Sequence, residues 1–131
     1  MLFPDSKVAI SAILDGTSNT IIFGERHVSE SRNYGWWYAG WGQTQSGSLD
    51  SLMGSRELNY DRRLDNCPIG PYNFTVGKSK NPCDVFHYWS HHSGGAAFAF
   101  ADGSVKFLRY EQDIILKALA TRAGREDVSI D

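Results

Sequence analysis

The stretch HSGGAAFAFADGSVKFL, residues 92–108, decides the fold of this chain. Apolar side chains alternate on both sides of Asp102 and Gly103, and such alternation is typical of half-buried strands. An Asp-Gly pair between two alternating runs indicates a tight hairpin, because a two-residue turn of the favoured hand requires positive φ at both central positions. We therefore expect strands at residues 96–101 and 104–110, joined by Asp102 and Gly103.

Regular structure extends beyond both ends of this hairpin. Residues 85–91 predict a further strand that pairs with residues 96–101 through a turn at residues 92–95, which completes an antiparallel meander. Residues 112–123 predict a helix, and Gly124 stands where a C-terminal αL cap is expected. The expected fold is α+β, with an antiparallel β-meander sheet and a C-terminal helix packed on it through Ile115, Leu116, Leu119 and Ala123.

The N-terminal half is rich in aromatic residues and loops. The segment DGTSNT, which begins at Asp15, consists of residues that favour turns and predicts a short helical turn capped by Asp15 or Ser18. Residues 20–28 predict a strand in which Gly24 marks a bulge or a close backbone approach. Residues 34–41 predict a strand or an aromatic loop.

Length and composition limit the class of protein. At 131 residues with 41% hydrophobic and 21% charged side chains, the chain is expected to form a single globular domain over residues 1–131. A net charge of -2 without a basic cluster argues against nucleic-acid binding. We find neither an apolar run of the roughly 18 to 20 residues that span a bilayer nor an export signal, so any export signal is expected to lie outside this sequence.

The two cysteines are Cys67 and Cys83. No Cys/His cluster surrounds them, which argues against structural zinc. Residues 51–82 show no sustained periodicity, and a structureless loop of that length is uncommon in a compact domain unless something pins it. A Cys67–Cys83 disulfide would pin this loop and stabilise the fold by about 3 kcal/mol in an oxidising compartment. Two unpaired thiols are the alternative.

Four ordered segments resemble one bacterial family. They are ILDGTSNTIIFGE (residues 13–25), NPCDVFHYWSHHSGGA (81–96), AFADGSVKFL (99–108) and ILKALATRAGRE (115–126). Over nearly the whole chain the sequence resembles domain-of-unknown-function family 1559, which carries the prepilin-type processing-associated H-X9-DG domain. The positions that we assign to its motifs are Asp15, Gly16, Thr17, Ser18, Asn19, Glu25, His92, Gly94, Gly95, Asp102 and Gly103.

Members of this family resemble pseudopilins, with a processed N-terminus, one long apolar helix and a globular head outside the cytoplasm. The chain resembles the C-terminal head alone, so the resemblance implies a pilin-head-like fold, an extracytoplasmic or cell-surface location, and membrane attachment only through a helix absent from this sequence. The implied partners are pseudopilin-like or identical subunits of a secretion or surface apparatus. Ser93 and Ala97 depart from the proline and asparagine that the family often has there.

His92 and Asp102 suggest a catalytic pair, with Ser90, Ser93 or Ser104 as nucleophile. An extended strand rises about 3.3 Å per residue, so a strand at residues 96–101 would separate His92 and Asp102 by roughly 20 Å. They could not share a proton at that distance. We therefore expect no catalytic residue and a structural, non-enzymatic role.

Asp84 and Asp102 are candidate calcium ligands. The predicted pairing of residues 85–91 with residues 96–101 brings both carboxylates to one end of the meander, and calcium takes six to eight oxygen ligands. The alternative is that Asp84 caps a strand and Asp102 occupies its preferred turn position. Apart from calcium, we expect no cofactor.

Histidine pairs offer a weaker metal signal. His87 and His91 share a face of the predicted strand but lie about 13 Å apart, too far to chelate one ion without a third element. Glu25 and His27 form another pair on one face, without an evident partner. We therefore assign no transition-metal ligand from the sequence.

Exposed tryptophans suggest a second class of function. If Trp36 faces the core, Trp37 faces outward, and with Trp41 it could form a patch that binds carbohydrate or another ligand. Core packing and contacts between subunits are the alternatives. The expected function is thus that of a structural pseudopilin-like head, and the alternative is a carbohydrate- or ligand-binding module.

Overall fold

The computed structural model describes residues 7–27, 54–59, 66–126, 128 and 130. Its strands are β1 (Ile21–Gly24), β2 (Gly95–Phe100) and β3 (Val105–Arg109), and its α-helix is α1 (Asp113–Leu119). Short 3-10 helices lie at Ile10–Ala12, Thr17–Asn19, Pro82–Phe86 and Tyr110–Gln112. No helix within these ranges is long and apolar enough to cross a membrane.

The strands form one antiparallel sheet in the order β1-β2-β3. The β2-β3 hairpin pairs Gly95 with Arg109 at its open end and Ala99 with Val105 near its turn. This sheet and the C-terminal helix confirm the α+β class. The β1 strand is shorter than predicted and carries an irregularity in register between Ile21 and Phe23.

The close approach predicted at Gly24 is confirmed. A Cβ atom at this position would lie 2.6 Å from the Tyr88 ring and 2.7 Å from the Phe98 ring. Only a residue without a side chain lets these two aromatic rings pack against the end of β1.

The predicted strand at residues 85–91 is wrong. The chain forms a 3-10 helix at Pro82–Phe86 instead, and β1 occupies the edge of β2 that those residues were expected to fill. Pro82 favours a helical first turn, and the Asn81 side chain caps it by accepting a hydrogen bond from the Cys83 N–H at 3.2 Å. Local capping therefore outweighs the strand-like composition of the residues that follow.

The hairpin turn differs from the predicted two-residue form. The Gly103 N–H donates to the Phe100 carbonyl at 3.0 Å, and the Phe100 N–H donates to the Ser104 carbonyl at 2.9 Å. Gly103 has a φ of 85°, while Asp102 has a negative φ. The connection is thus a three-residue loop that ends in a glycine bulge, a common hairpin type that places the left-handed conformation on glycine alone.

The core lies between the inner face of the sheet and α1. Its buried side chains are Ile21, Phe74, Ala96, Phe98, Phe100, Leu108, Leu116 and Leu119. The helix buries the predicted stripe through Leu116 and Leu119 but ends at Leu119 rather than at Ala123. Gly124 is not the predicted αL cap, because the chain beyond α1 bends to hydrogen-bond Asp15 and the positive φ, 58°, falls on Arg125.

The predicted disulfide between Cys67 and Cys83 is confirmed, with the Cα atoms 5.4 Å apart. Cys67 packs with Val85 and Phe86 in a second small apolar cluster. The bridge therefore holds the irregular segment around residue 67 against the 3-10 helix at Pro82–Phe86.

The aromatic and polar segments at residues 34–41 and 43–50 lie outside the described residues. Trp36, Trp37 and Trp41 belong to this part of the sequence, so the proposed carbohydrate or ligand patch stays a prediction.

Candidate functional site

The motif residues lie at the ends of two paired strands. Residues 15–19 precede β1 and Glu25 follows it, while His92 precedes β2 and Asp102 follows it. Because β1 and β2 are antiparallel, these four ends meet in pairs. We call one group the DG end (residues 15–20, Asp102 and Gly103) and the other the histidine end (Glu25, His27, His91 and His92). The structure thus places His92 and Asp102 at opposite ends of β2.

At the DG end, the first motif segment is hydrogen-bonded to the hairpin turn. The Asp102 N–H donates to the Thr17 carbonyl at 3.1 Å, and the Ala101 N–H donates to the Thr20 carbonyl at 2.8 Å. The Lys106 ammonium reaches the Ser18 carbonyl at 3.2 Å. In all three contacts residues 15–20 contribute a backbone carbonyl. These bonds therefore hold the turn before β1 against the turn between β2 and β3.

The predicted helical turn in this segment exists at Thr17–Asn19, but its predicted caps are wrong. Gly16 occupies the N-cap with a φ of 90°, and no side chain caps the turn. The Gly16 carbonyl instead accepts from the Asn19 N–H and from the Thr20 hydroxyl, each at 3.1 Å. A positive φ favours glycine at this position.

The Asp15 carboxylate holds the C-terminal segment. It accepts hydrogen bonds from the Thr121 hydroxyl at 3.0 Å, the Gly124 N–H at 2.9 Å and the Arg125 N–H at 2.8 Å. Desolvation by itself raises the pKa of Asp15, but these hydrogen bonds favour the ionised form and together hold the pKa below its ordinary value. Asp15 therefore ties the segment before β1 to the chain beyond α1.

Asp102 and Asp84 are each engaged in local hydrogen bonds. Asp102 accepts from the Ser104 hydroxyl at 2.7 Å and from the Ser104 N–H at 2.9 Å, which lowers the pKa of Asp102. Asp84 accepts from the Lys78 N–H at 2.6 Å and lies 3.1 Å from the His87 Nε2 atom. The strand pairing that was predicted to unite Asp84 and Asp102 does not form, so the geometric argument for calcium there is wrong.

At the histidine end, Glu25 extends the ladder beyond β1. Its N–H donates to the Ala97 carbonyl, and its carboxylate accepts from the Ala97 N–H, both at 2.9 Å. The other carboxylate oxygen lies 3.8 Å from the His92 Nε2 atom. The His92 side chain is 67% exposed, so solvent screens any attraction between the two groups and the contact contributes little to stability.

The turn between His92 and β2 is organised by Ser90. The buried Ser90 hydroxyl donates to the Gly95 carbonyl at 2.7 Å and accepts from the His92 N–H at 2.9 Å. A Cβ atom at Gly95 would overlap the Leu108 carbonyl, and Gly94 has a φ of 88°. Both glycines are therefore required by geometry, and the Ser90 hydroxyl is committed to the turn rather than directed at the His92 ring.

The structure joins two histidines that the sequence did not pair. The His27 and His91 Nε2 atoms lie 3.1 Å apart. Burial, and secondarily the neighbouring His91, lower the pKa of His27. His87, the predicted neighbour of His91, is 4% exposed and contacts Asp84 instead. In the sequence, His27 follows the strand β1 and His91 precedes the strand β2. These positions predict a contact between the two histidines only if β1 is known to pair with β2 in antiparallel fashion.

The outer face of the sheet is apolar. Phe23, Ala99 and Val105 form one cross-strand row, and Ala97 lies beside Phe107 in the next. Phe23 is 64% exposed, Val105 68% and Phe107 48%. Ala97 and Ala99 lie on the central strand and have small side chains, so the larger side chains of Phe23, Val105 and Phe107 project beyond them. We call these five residues the outer face.

Comparisons with curated proteins and with solved structures give no match. One family model, described as a protein of unknown function, DUF1559, matches residues 1–114. The matched region contains all three strands of the sheet together with the DG end and the histidine end. Because the match covers most of the sequence, this chain belongs to the DUF1559 family.

Proposed function

We propose that this chain is the extracytoplasmic head of a pseudopilin-like protein, and that it acts without catalysis by docking other subunits in a secretion or surface apparatus. The observation that carries this proposal is the outer face. Three large apolar side chains, Phe23, Val105 and Phe107, project from one side of an open sheet and are 48–68% exposed. Neighbouring exposed apolar side chains of this kind mark contact surfaces, whereas isolated ones do not.

The hydrogen bonding of the motif residues supports a structural role. Asp15, Glu25 and Asp102 each bond backbone groups at a strand end or at the chain terminus. Gly95 lets β2 and β3 approach closely. These residues hold the sheet in the shape that presents the outer face, and none of these contacts requires a substrate.

The disulfide supports the location outside the cytoplasm. Bridges such as that between Cys67 and Cys83 form and persist in oxidising compartments and are rare in the cytosol. An extracytoplasmic head that meets its neighbours in that compartment agrees with this chemistry.

The test is assembly of the full-length gene product in its host, measured by crosslinking and by sedimentation of the isolated complex. Val105→Lys and Phe107→Lys should abolish assembly, because each places a charge in the apolar contact. Ile114→Lys is the matched control, since Ile114 is 82% exposed but lies on α1 rather than on the sheet. Assembly of the Val105→Lys and Phe107→Lys proteins at the level of the Ile114→Lys protein would refute the proposal.

A further inference from the structure

We propose that His27 and His91 bind one borderline divalent transition-metal ion, such as Zn²⁺ or Cu²⁺, through their Nε2 atoms. This site is independent of the proposed role in assembly. It lies at the histidine end and uses two side chains to which neither the fold nor the outer face assigns a task.

The distance between the two nitrogen atoms matches a shared metal ion. Zinc-imidazole bonds of about 2.0–2.1 Å place two nitrogens roughly 3.3 Å apart in a tetrahedral site, and about 2.9 Å apart at a right angle. The observed distance between the His27 and His91 Nε2 atoms, 3.1 Å, lies between these values. The ring centroids lie 4.1 Å apart with an interplanar angle of 65°, so both rings must turn before their Nε2 lone pairs converge on one ion.

The two rings are held in place by a buried tryptophan. Trp89 is 2% exposed, and its indole N–H donates to the Asp84 carbonyl at 2.9 Å. Its ring centroid lies 5.0 Å from that of His27 and 5.4 Å from that of His91, with edge-to-face geometry in both cases. A backbone bridge between Arg26 and Trp89 sets the two segments side by side. Since packing on Trp89 limits the orientations open to both rings, binding loses little side-chain entropy.

The surroundings allow an ion to enter. The His91 side chain is exposed and His27 is half-buried, so water can complete the coordination shell. Within the described residues, no third His, Cys, Asp or Glu side chain joins this pair as a metal cluster. The site is thus a two-imidazole site with open positions, a donor set that suits Zn²⁺ and Cu²⁺ better than calcium or magnesium.

Without a metal, the same distance requires one imidazole to donate an N–H to the other. Titration with metal distinguishes this hydrogen-bonded pair from a metal-bound pair. The test is calorimetric titration of the untagged, chelator-treated chain with Zn²⁺ alone. The wild-type chain should bind one equivalent. His27→Gln and His91→Gln should each weaken binding by at least about 10-fold, as losses of metal-site contacts do. His92→Gln is the matched control, because His92 is exposed and faces Glu25 instead.

A second readout uses Cu²⁺. Electron paramagnetic resonance of the one-to-one complex should show coupling to two imidazole nitrogens, and this signal should change in both ligand variants and persist in His92→Gln. Thermal unfolding without metal establishes that the variants are folded. The proposal is overturned if the wild-type chain binds no Zn²⁺, if either ligand variant binds like the wild type, or if His92→Gln weakens binding equally.

Discussion

The Asp102 N–H donates to the Thr17 carbonyl at 3.1 Å, which joins two motif segments that lie far apart in the sequence. The bond lies where the end of β2 meets the beginning of β1. At the other end of the same strand pair, the Glu25 carboxylate accepts from the Ala97 N–H at 2.9 Å. Hydrogen bonds of the residues assigned to the motif therefore connect β1 and β2 at both ends of this antiparallel pair.

Replacing Asp15 with asparagine should remove a pH-dependent part of the stability. The pKa of Asp15 is held below 3.8, so the ionised carboxylate stabilises the fold fully above that pH. This stabilisation is lost as the pH falls through the lowered pKa. Thermal unfolding from pH 7 to pH 2 should show a difference between wild type and Asp15→Asn that is constant near neutrality and shrinks in acid.

Glu111→Gln is the control for Asp15→Asn, because it removes an exposed carboxylate from the same domain. A difference between wild type and Asp15→Asn that grows as the pH falls would contradict the assigned sign.

Gly95→Ala should destabilise the fold by about 1–3 kcal/mol, because its Cβ would overlap the Leu108 carbonyl and force β2 and β3 apart. Gly54→Ala is the matched control, since its nearest neighbour, the Glu57 carboxylate, would lie 3.6 Å away in ordinary contact. Urea unfolding of both proteins provides the comparison. Equal unfolding midpoints would show that the hairpin absorbs the added methyl group.

Removal of the disulfide should cost about 3 kcal/mol for a loop of 16 residues. The Cys67→Ala/Cys83→Ala protein and the reduced wild type should unfold at similar urea concentrations, both below the oxidised wild type. If reduction leaves the unfolding midpoint of the wild type unchanged, the bridge does not constrain the unfolded chain as expected.

The ion pair between Arg56 and Asp113 should contribute only modestly to the free energy of unfolding. The guanidinium lies 2.8 Å from the carboxylate, but the side chains are 26% and 25% exposed, so screening limits their coupling to about 1 kcal/mol. Asp113→Ala should cost more, about 1–3 kcal/mol, because the carboxylate also accepts from the Phe74 N–H at 2.7 Å. A double-mutant cycle with Arg56→Ala separates the two contributions. A coupling energy of zero would show that the ion pair is fully screened.

Local patterns predicted the elements whose signals are strong and short in range. The alternation around Asp102 and Gly103 predicted the β2-β3 hairpin, and the apolar stripe containing Leu116 and Leu119 predicted α1. The unpatterned loop around Cys67 predicted the need for a disulfide. These features depend on neighbours in the sequence or on covalent chemistry.

The strand predicted at residues 20–28 exists as β1, but its pairing with β2 could not be assigned from local patterns. Residues 85–91 have a composition that fits a strand, but Asn81 and Pro82 begin a helical turn, and the edge of β2 is taken by residues 21–24. The two segments compete for that edge, and residues 82–86 instead form a capped 3-10 helix whose Val85 and Phe86 are buried with Cys67 in the second apolar cluster. A single sequence does not show that competition.

By itself, the sequence determined the hairpin, the helix stripe, the bridge between Cys67 and Cys83 and the resemblance to a family. Tertiary structure alone decided that β1 completes the sheet, that Asp15 secures the C-terminal segment and that His27 meets His91. The physical reason is range. Turn and periodicity signals act over a few residues, whereas pairing between distant segments depends on contacts between residues that lie far apart in the sequence.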